Sequence, residues 1–174
     1  MGSHSIGMTR RTLFLGGVEP GMPRLPRVWI GFALSGILFL SELADIATET
    51  EETTFSPSFF VSIGVFVYWL FCIYSVHRVL RELTFSRYPI SPLKASMLHV
   101  IPVYDIYWIF RWPSVLSKFV NQRRAAKVFS GSLVSLWILT SILVYKIVDG
   151  ALGSTLLFAA TNHVYRKIQR DMAG

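Results

Sequence analysis

PLKASMLHVIPVYDIYWIFRWPSVLSKFVNQRR, Pro92 to Arg124, decides the architecture. Its first part is apolar enough to enter lipid, yet it holds His99, Asp105, a central Pro102 and Arg111. A helix kinked at Pro102 would cross the bilayer. A hairpin turning at Pro102 would return to the side it left. Prolines are common in membrane helices, so the kinked helix is a standing alternative. Local chemistry favours the hairpin. Ser91 can cap a helix whose first position is Pro92. Pro102 has no amide to donate and disfavours a straight helix through it. The arms from Lys94 to Pro102 and from Pro102 to Arg111 are eight and nine residues. Each arm as a helix is ~12–14 Å, under half of a ~30 Å hydrocarbon core. Residues 92–111 therefore read as a re-entrant segment that turns within IPVYD and leaves at Arg111. Lys94 and Arg111 mark its two mouths, and Trp108 and Trp112 suit the interface at its exit. Pro113 then starts a separate helix over 113–122. Val115, Leu116, Phe119 and Val120 share one face, with Ser114, Ser117, Lys118 and Asn121 off it, the pattern of a helix lying on the membrane surface.

The rest of the chain agrees with a membrane setting. It has 174 residues, 52% hydrophobic and only 16% charged. Its apolar residues come in long runs and not in a narrow helical stripe. Four runs read as spans, about 28–48, 59–83, 128–148 and 151–166. The first ends in Glu42, Asp45 and Glu49, a helix end meeting water. Ser56-Pro57 is a good start for the second. The last two make a tight hairpin broken at Asp149-Gly150. Residues 1–26 form a Gly- and Pro-rich arm, 27–170 a single transmembrane domain, and 171–174 a tail. Within the arm, TRRTLFL (Thr9 to Leu15) imitates a twin-arginine signal but lacks the apolar stretch that should follow. MGSHSI imitates a myristoylation start with Ile6 where Ser or Thr belongs, and MGSHSIG also resembles an appended leader. The single Cys72 lies in an apolar run and has no internal disulfide partner.

Charge fixes the orientation. The net charge is +7, and the bases sit beside the apolar runs. Only residues 45–57 and 146–151 lack an excess of Lys and Arg. If residues 92–111 re-enter, every basic stretch lies on one side, and cytoplasmic flanks are the basic ones. Both termini are then cytoplasmic. The same bases meet anionic lipid headgroups. No interleaved aromatic and basic surface points to nucleic acid.

Ionisable residues in membranes are functional candidates by default. His99 and Asp105 flank the turn, where they either tie it together or, with Glu42, line an ion or proton site. His77 and His163 fall near the cytoplasmic ends of their helices. A facing pair could hold haem, a chlorin or a metal, although no CxxCH, HExxH or paired-Cys spacing accompanies them. No cofactor is predicted. No phosphate loop, GxSxG or catalytic acid pair is present, so no enzyme is expected.

YPISPLKASMLHVIPVYDIYWIFRWP, Tyr88 to Pro113, resembles a segment of small bacterial membrane proteins, of the form ISP-x-K-A followed by IP-x-Y/F-N-x-YW-x-F. The matching residues are Ile90, Ser91, Pro92, Lys94, Ala95, Ile101, Pro102, Tyr104, Tyr107, Trp108 and Phe110. Asp105 stands where those proteins carry Asn. The resemblance covers about a third of the chain with the preceding YWLFCIYSVHRVLREL; it implies a bacterial inner or internal membrane and no activity.

The expectation is an all-α polytopic membrane protein: four transmembrane helices, a re-entrant helical hairpin and a short interfacial helix. Small residues Gly31, Ser35 and Gly36, and Gly131, Ser132 and Ser135, allow close helix contact. The leading function is a non-enzymatic membrane subunit or scaffold packing against other membrane proteins or itself, in contact with lipid or pigment. The alternative is a small channel or transporter with its ion site at the re-entrant loop.

Overall fold

The computed structural model describes residues 25–48, 56–84, 87–124 and 129–173. The arm up to residue 24 with its two imitation signals, the acids Glu49, Glu51 and Glu52, and Lys127 and Val128 lie outside the described residues. The described chain is helical, with no strand among those residues. Six helices follow in order: α1 (Val28–Ala47), α2 (Pro57–Leu83), α3 (Pro92–Met97), α4 (Pro102–Arg124), α5 (Gly131–Ile147) and α6 (Gly150–Ala173).

Two of these, α1 and α2, are long and apolar enough to cross a membrane. At ~1.5 Å per residue, α1 is ~30 Å long and α2 ~40 Å. Few residues of α1 are buried, whereas α2 buries a larger share of its length. α5 is apolar but has only 17 residues.

Helix α1 buries the stripe Val28, Gly31, Ser35 and Leu38. That stripe meets α6 running the other way. A Cβ on Gly31 would strike the Phe158 ring. The hydroxyls of Ser35 and Ser154 meet at 2.8 Å. One end of α1 also ties to α2, where the Tyr68 hydroxyl donates to the Arg27 carbonyl at 2.8 Å. At the other end Ser58 N–H donates to the Asp45 carboxylate. The Tyr165 hydroxyl of α6 reaches the Cys72 carbonyl of α2 at 3.0 Å. α5 and α6 form an antiparallel pair so close that a side chain on Gly153 would collide with the Tyr145 backbone. Asp149 starts α6 by accepting from Leu152 N–H at 2.6 Å. The sequence ends this helix near residue 166. It continues to Ala173 because Tyr165 and Ile168 bury themselves in the core.

Residues 88–121 form a hairpin of unequal arms. Tyr88 packs on Phe119, their rings 5.1 Å apart. Higher up, Trp108 N–H donates to the Ala95 carbonyl at 2.9 Å. At the apex His99 meets Asp105. His99 also lies edge-on to Trp69, with ring centroids 4.8 Å apart. Trp69 stands 12 residues after the start of α2 and 14 before its end. The hairpin thus climbs to about the middle of α2 and comes back.

The turn differs from the sequence reading, and proline explains why. The incoming helix was expected to run to about Ile101, but α3 stops at Met97. Leu98's carbonyl would need the amide that Pro102 lacks, and a residue before proline avoids helical geometry. The chain tightens instead, with His99 N–H donating to Ser96 and Val100 N–H to Met97. Pro102 opens the outgoing helix, whose first helical backbone bond runs from Asp105 N–H to the Ile101 carbonyl four residues back. His99 therefore lies in the turn itself.

The separate surface helix over 113–122 does not exist: α4 runs through Pro113 without a break. A mid-helix proline ordinarily costs ~3 kcal/mol. Here its surroundings hold the helix. Gly131 lies against the Pro113 carbonyl with no room for a Cβ. The Asn121 side-chain amide donates to the Phe129 carbonyl and accepts from its N–H, at 2.8 and 3.0 Å, clamping α4 to the start of α5. Leu116, Ser117 and Val120 are buried by this packing.

The bundle has an apolar core and also exposes large apolar side chains. Its outward faces carry Ile37, Leu40, Ile46, Phe60, Leu136 and Ile147. Inside lie Ser35, Ser135, Ser141 and Thr161, each donating its hydroxyl to the carbonyl one turn back. Such back-bonding satisfies the hydroxyl locally and leaves a small side chain that permits close packing.

Candidate functional site

The apex of the hairpin brings together two residues singled out in the sequence. His99 Nδ1 lies 2.6 Å from Asp105 Oδ1. The imidazole is buried and the carboxyl a quarter exposed. Six residues apart, they meet only because Pro102 reverses the chain between them. A carboxylate oxygen accepts, so the contact sets Nδ1–H toward Asp105, and in a neutral ring Nε2 is then an acceptor. Asp105 also stands in the first turn of α4, where the helix dipole favours an acid.

Glu42 is not part of this group. It lies half-buried against the first amides of α6, Gly150 and Ala151, at the opposite end of the bundle. A carboxyl there complements a helix N-terminus. Ser91 accepts from Lys94 N–H at 3.3 Å, and Pro92 fills the first position of α3. Lys94 and Arg111 are exposed just outside the Ala95–Trp108 bond, one on each arm. Trp108 and Trp112, read as interface anchors, are instead buried. One turn apart on α4, they face α3 and α2 together.

His77 and His163 do not form a pair. His77 is wholly buried against Tyr88 and Trp112, at 5.4 and 5.5 Å between ring centroids. His163 is half-buried beside Trp137 of α5. Among the described residues no cluster of three or more His, Cys, Asp or Glu could hold a metal.

The sequence reading missed a second feature. Trp69 Nε1, both ring nitrogens of His77, the Tyr88 hydroxyl, His99 Nε2 and Trp112 Nε1 are all buried without a hydrogen-bond partner. All lie where α2 faces the hairpin. The signal was present in the polar-tipped rings on the face that α2 shares with Ile73, Val76 and Leu80. Each ring also serves as ordinary core, so spacing alone did not distinguish it.

Beyond the seam, an open cavity of about 420 Å³ lies between Tyr74, Arg78 and Arg81 of α2 and Ser91, Pro92 and Leu93. Arg78 pairs there with Glu82 at 3.0 Å.

No protein-family model, curated protein or solved structure matches this chain.

Proposed function

We propose that the chain is an integral membrane protein with α1, α2, α5 and α6 as its four spans. The α3–α4 hairpin enters from the side that holds both termini and stops at mid-depth. The chain serves as a non-catalytic subunit, with the hairpin as its docking element for another membrane chain. The helix directions support this placement. The end holding Arg27, Arg81, Lys118 and Arg170 is basic, and Asp45 and Asp149 lie at the other end. The basic end, with the open cavity beside Arg78 and Arg81, suits anionic headgroups.

One observation carries the docking reading. At the apex, no described backbone amide is bonded to the carbonyls of Leu98, His99 or Val100. The surrounding Met97, Val100, Val103 and Tyr104 are exposed. Irregular backbone at membrane depth persists only where protein or water covers it. α2 covers one side, and a partner helix or a second copy would cover the other.

A photo-crosslinking residue at Val103 or Tyr107, in native membranes, tests the proposal. It should capture another membrane chain, while the same residue at Phe60 captures lipid. Lipid adducts alone at all three positions would end the reading.

The His99–Asp105 pair favours a second reading, an ion or proton site at the apex. Reconstituted protein should then conduct, and Asp105→Asn should abolish the flux. Absence of flux in the intact protein removes this reading and leaves the first.

A further inference from the structure

Six polar atoms without partners in one buried interface need a physical account. Each orphaned group costs roughly 1–3 kcal/mol, and natural proteins hold few of them per hundred residues. The rings bearing them fall in two groups along one face of α2, with the buried Ile73 between them. Trp69 and His99 touch at its upper end, and Trp112, His77 and Tyr88 touch at its lower end. From Trp69 to His77 the seam follows α2 for eight residues, ~12 Å.

The inventory suits water. The two indoles only donate. The phenol donates and accepts, as does a neutral imidazole at His77, and His99 Nε2 accepts. A bound water needs two to four such partners, and buried polar groups that lack protein partners are where such waters are found. A metal would leave the indole donors unanswered, and an anion would leave the acceptor at His99 unanswered.

We propose that the seam between α2 and the hairpin is a proton path, a file of bound waters joining His77 to the His99–Asp105 pair from the basic end of the molecule. The transfer balances within the pair. The water at Nε2 of His99 gives that nitrogen a proton and takes one from the next water, so the proton supplied at the basic end replaces it, and the Nδ1 proton passes to the Asp105 carboxylate. The ring ends neutral in its other tautomer, and Asp105 ends protonated. Return of the two protons resets the pair. This inference deepens the ion-site reading of the apex and rests on it. That reading falls if no flux is seen; this one falls on the measurements below even where flux occurs.

The first measurement is deuterium exchange of the indole N–H groups in the full chain in nanodiscs, followed by NMR. Wet indoles at Trp69 and Trp112 exchange at least roughly tenfold faster than the backbone amides of Ile73 and Val76 between them. Equal protection of indoles and amides means a dry seam and overturns the proposal. The second follows the Asp105 carboxyl band by infrared spectroscopy after a pH jump, with Asp105→Asn assigning the band. His77→Phe keeps a ring but removes both nitrogens, and it should slow the response roughly tenfold. His77→Gln keeps a donor and an acceptor and should leave it fast. An unchanged rate in His77→Phe overturns the path. Should His77→Phe fail to fold, Trp112→Phe takes its place with the same two outcomes.

Discussion

Trp108 donates its indole N–H to the carbonyl of Ala95 across the two arms of the hairpin. No described backbone amide outside the helix ladders reaches that carbonyl, because α3 ends two residues later and the next amides bond elsewhere. One side chain thus satisfies the orphaned end of one helix while fixing its distance from the next. Trp108→Phe keeps most of the packing and strands the carbonyl. It should cost ~1–3 kcal/mol. Unfolding in a mild detergent titrated with a denaturing one measures this, and an unchanged midpoint would show that the bond does not hold the arms.

The His99–Asp105 contact gives a graded expectation. Asp105→Asn keeps an oxygen to accept from Nδ1–H, whereas Asp105→Ala leaves the buried imidazole without that partner. A hydrogen bond to a charged group contributes ~1.5–3 kcal/mol, so alanine should destabilise by about that much and asparagine by less. Equal effects of the two substitutions, in the same unfolding assay, would mean that the pair does not tie the apex.

Glycines divide by what faces them. A Cβ on Gly153 would collide with the Tyr145 backbone, while one on Gly36 or Gly64 meets nothing within 4 Å. Gly153→Ala should cost ~1–3 kcal/mol by forcing α5 and α6 apart. Gly64→Ala should be neutral or stabilising by up to ~1 kcal/mol, because alanine suits a helix better. A thermal melt of both variants side by side decides it. Identical melting temperatures would contradict the close α5–α6 approach.

Tyr88 lies between α2 and α3 and is buried against His77 and Phe119, and burial pushes its phenol well above the usual tyrosine range. Its folded pKa is raised, so its contribution is fully present below the unfolded value and is lost as pH rises toward the folded one. Stability should fall above about pH 10, by up to ~1.4 kcal/mol per pH unit from this residue. Tyr88→Phe should flatten that part of the decline. Unfolding curves from pH 9 upward test this, and parallel declines in both proteins would assign the loss to other groups.

The route of the hairpin can be read by thiol labelling once Cys72 is replaced. A cysteine at Lys118 should react from the same side as one at Arg81, and one at Val148 from the opposite side. Reaction of the Lys118 site with the Val148 side would put residues 92–111 across the bilayer and remove the mid-depth hairpin.

Much of this architecture is written in local signals. Ser56-Pro57 and Ser91-Pro92 stand at helix starts because proline lacks only an amide that a first turn does not use. The all-helical fold followed from unbroken apolar runs. The position of the turn did not follow, since the effect of Pro102 reaches back four residues to a carbonyl left without a donor. Pro113 misled for a related reason. Its local preference to begin a helix was overridden by Gly131 and by the clamp of Asn121 on Phe129, contacts with the chain entering α5 that cannot be seen in a window around position 113. The tryptophans misled through composition: an indole serves equally at an interface or in a core, and only the partner helix decides. The unpartnered seam was least legible, because it depends on which rings of α2 meet which rings of the hairpin.

The hairpin that stops half-way has a consequence for shape. In the proposed arrangement, a cut through the basic half of the molecule meets six helical segments, and a cut through the far half meets four. Such a body is a wedge, broader toward the leaflet that carries its bases. Lipid around it relaxes where that leaflet is stretched, so the protein should collect on vesicles of matching curvature, and a labelled chain spread evenly over vesicles of all radii would argue against the taper.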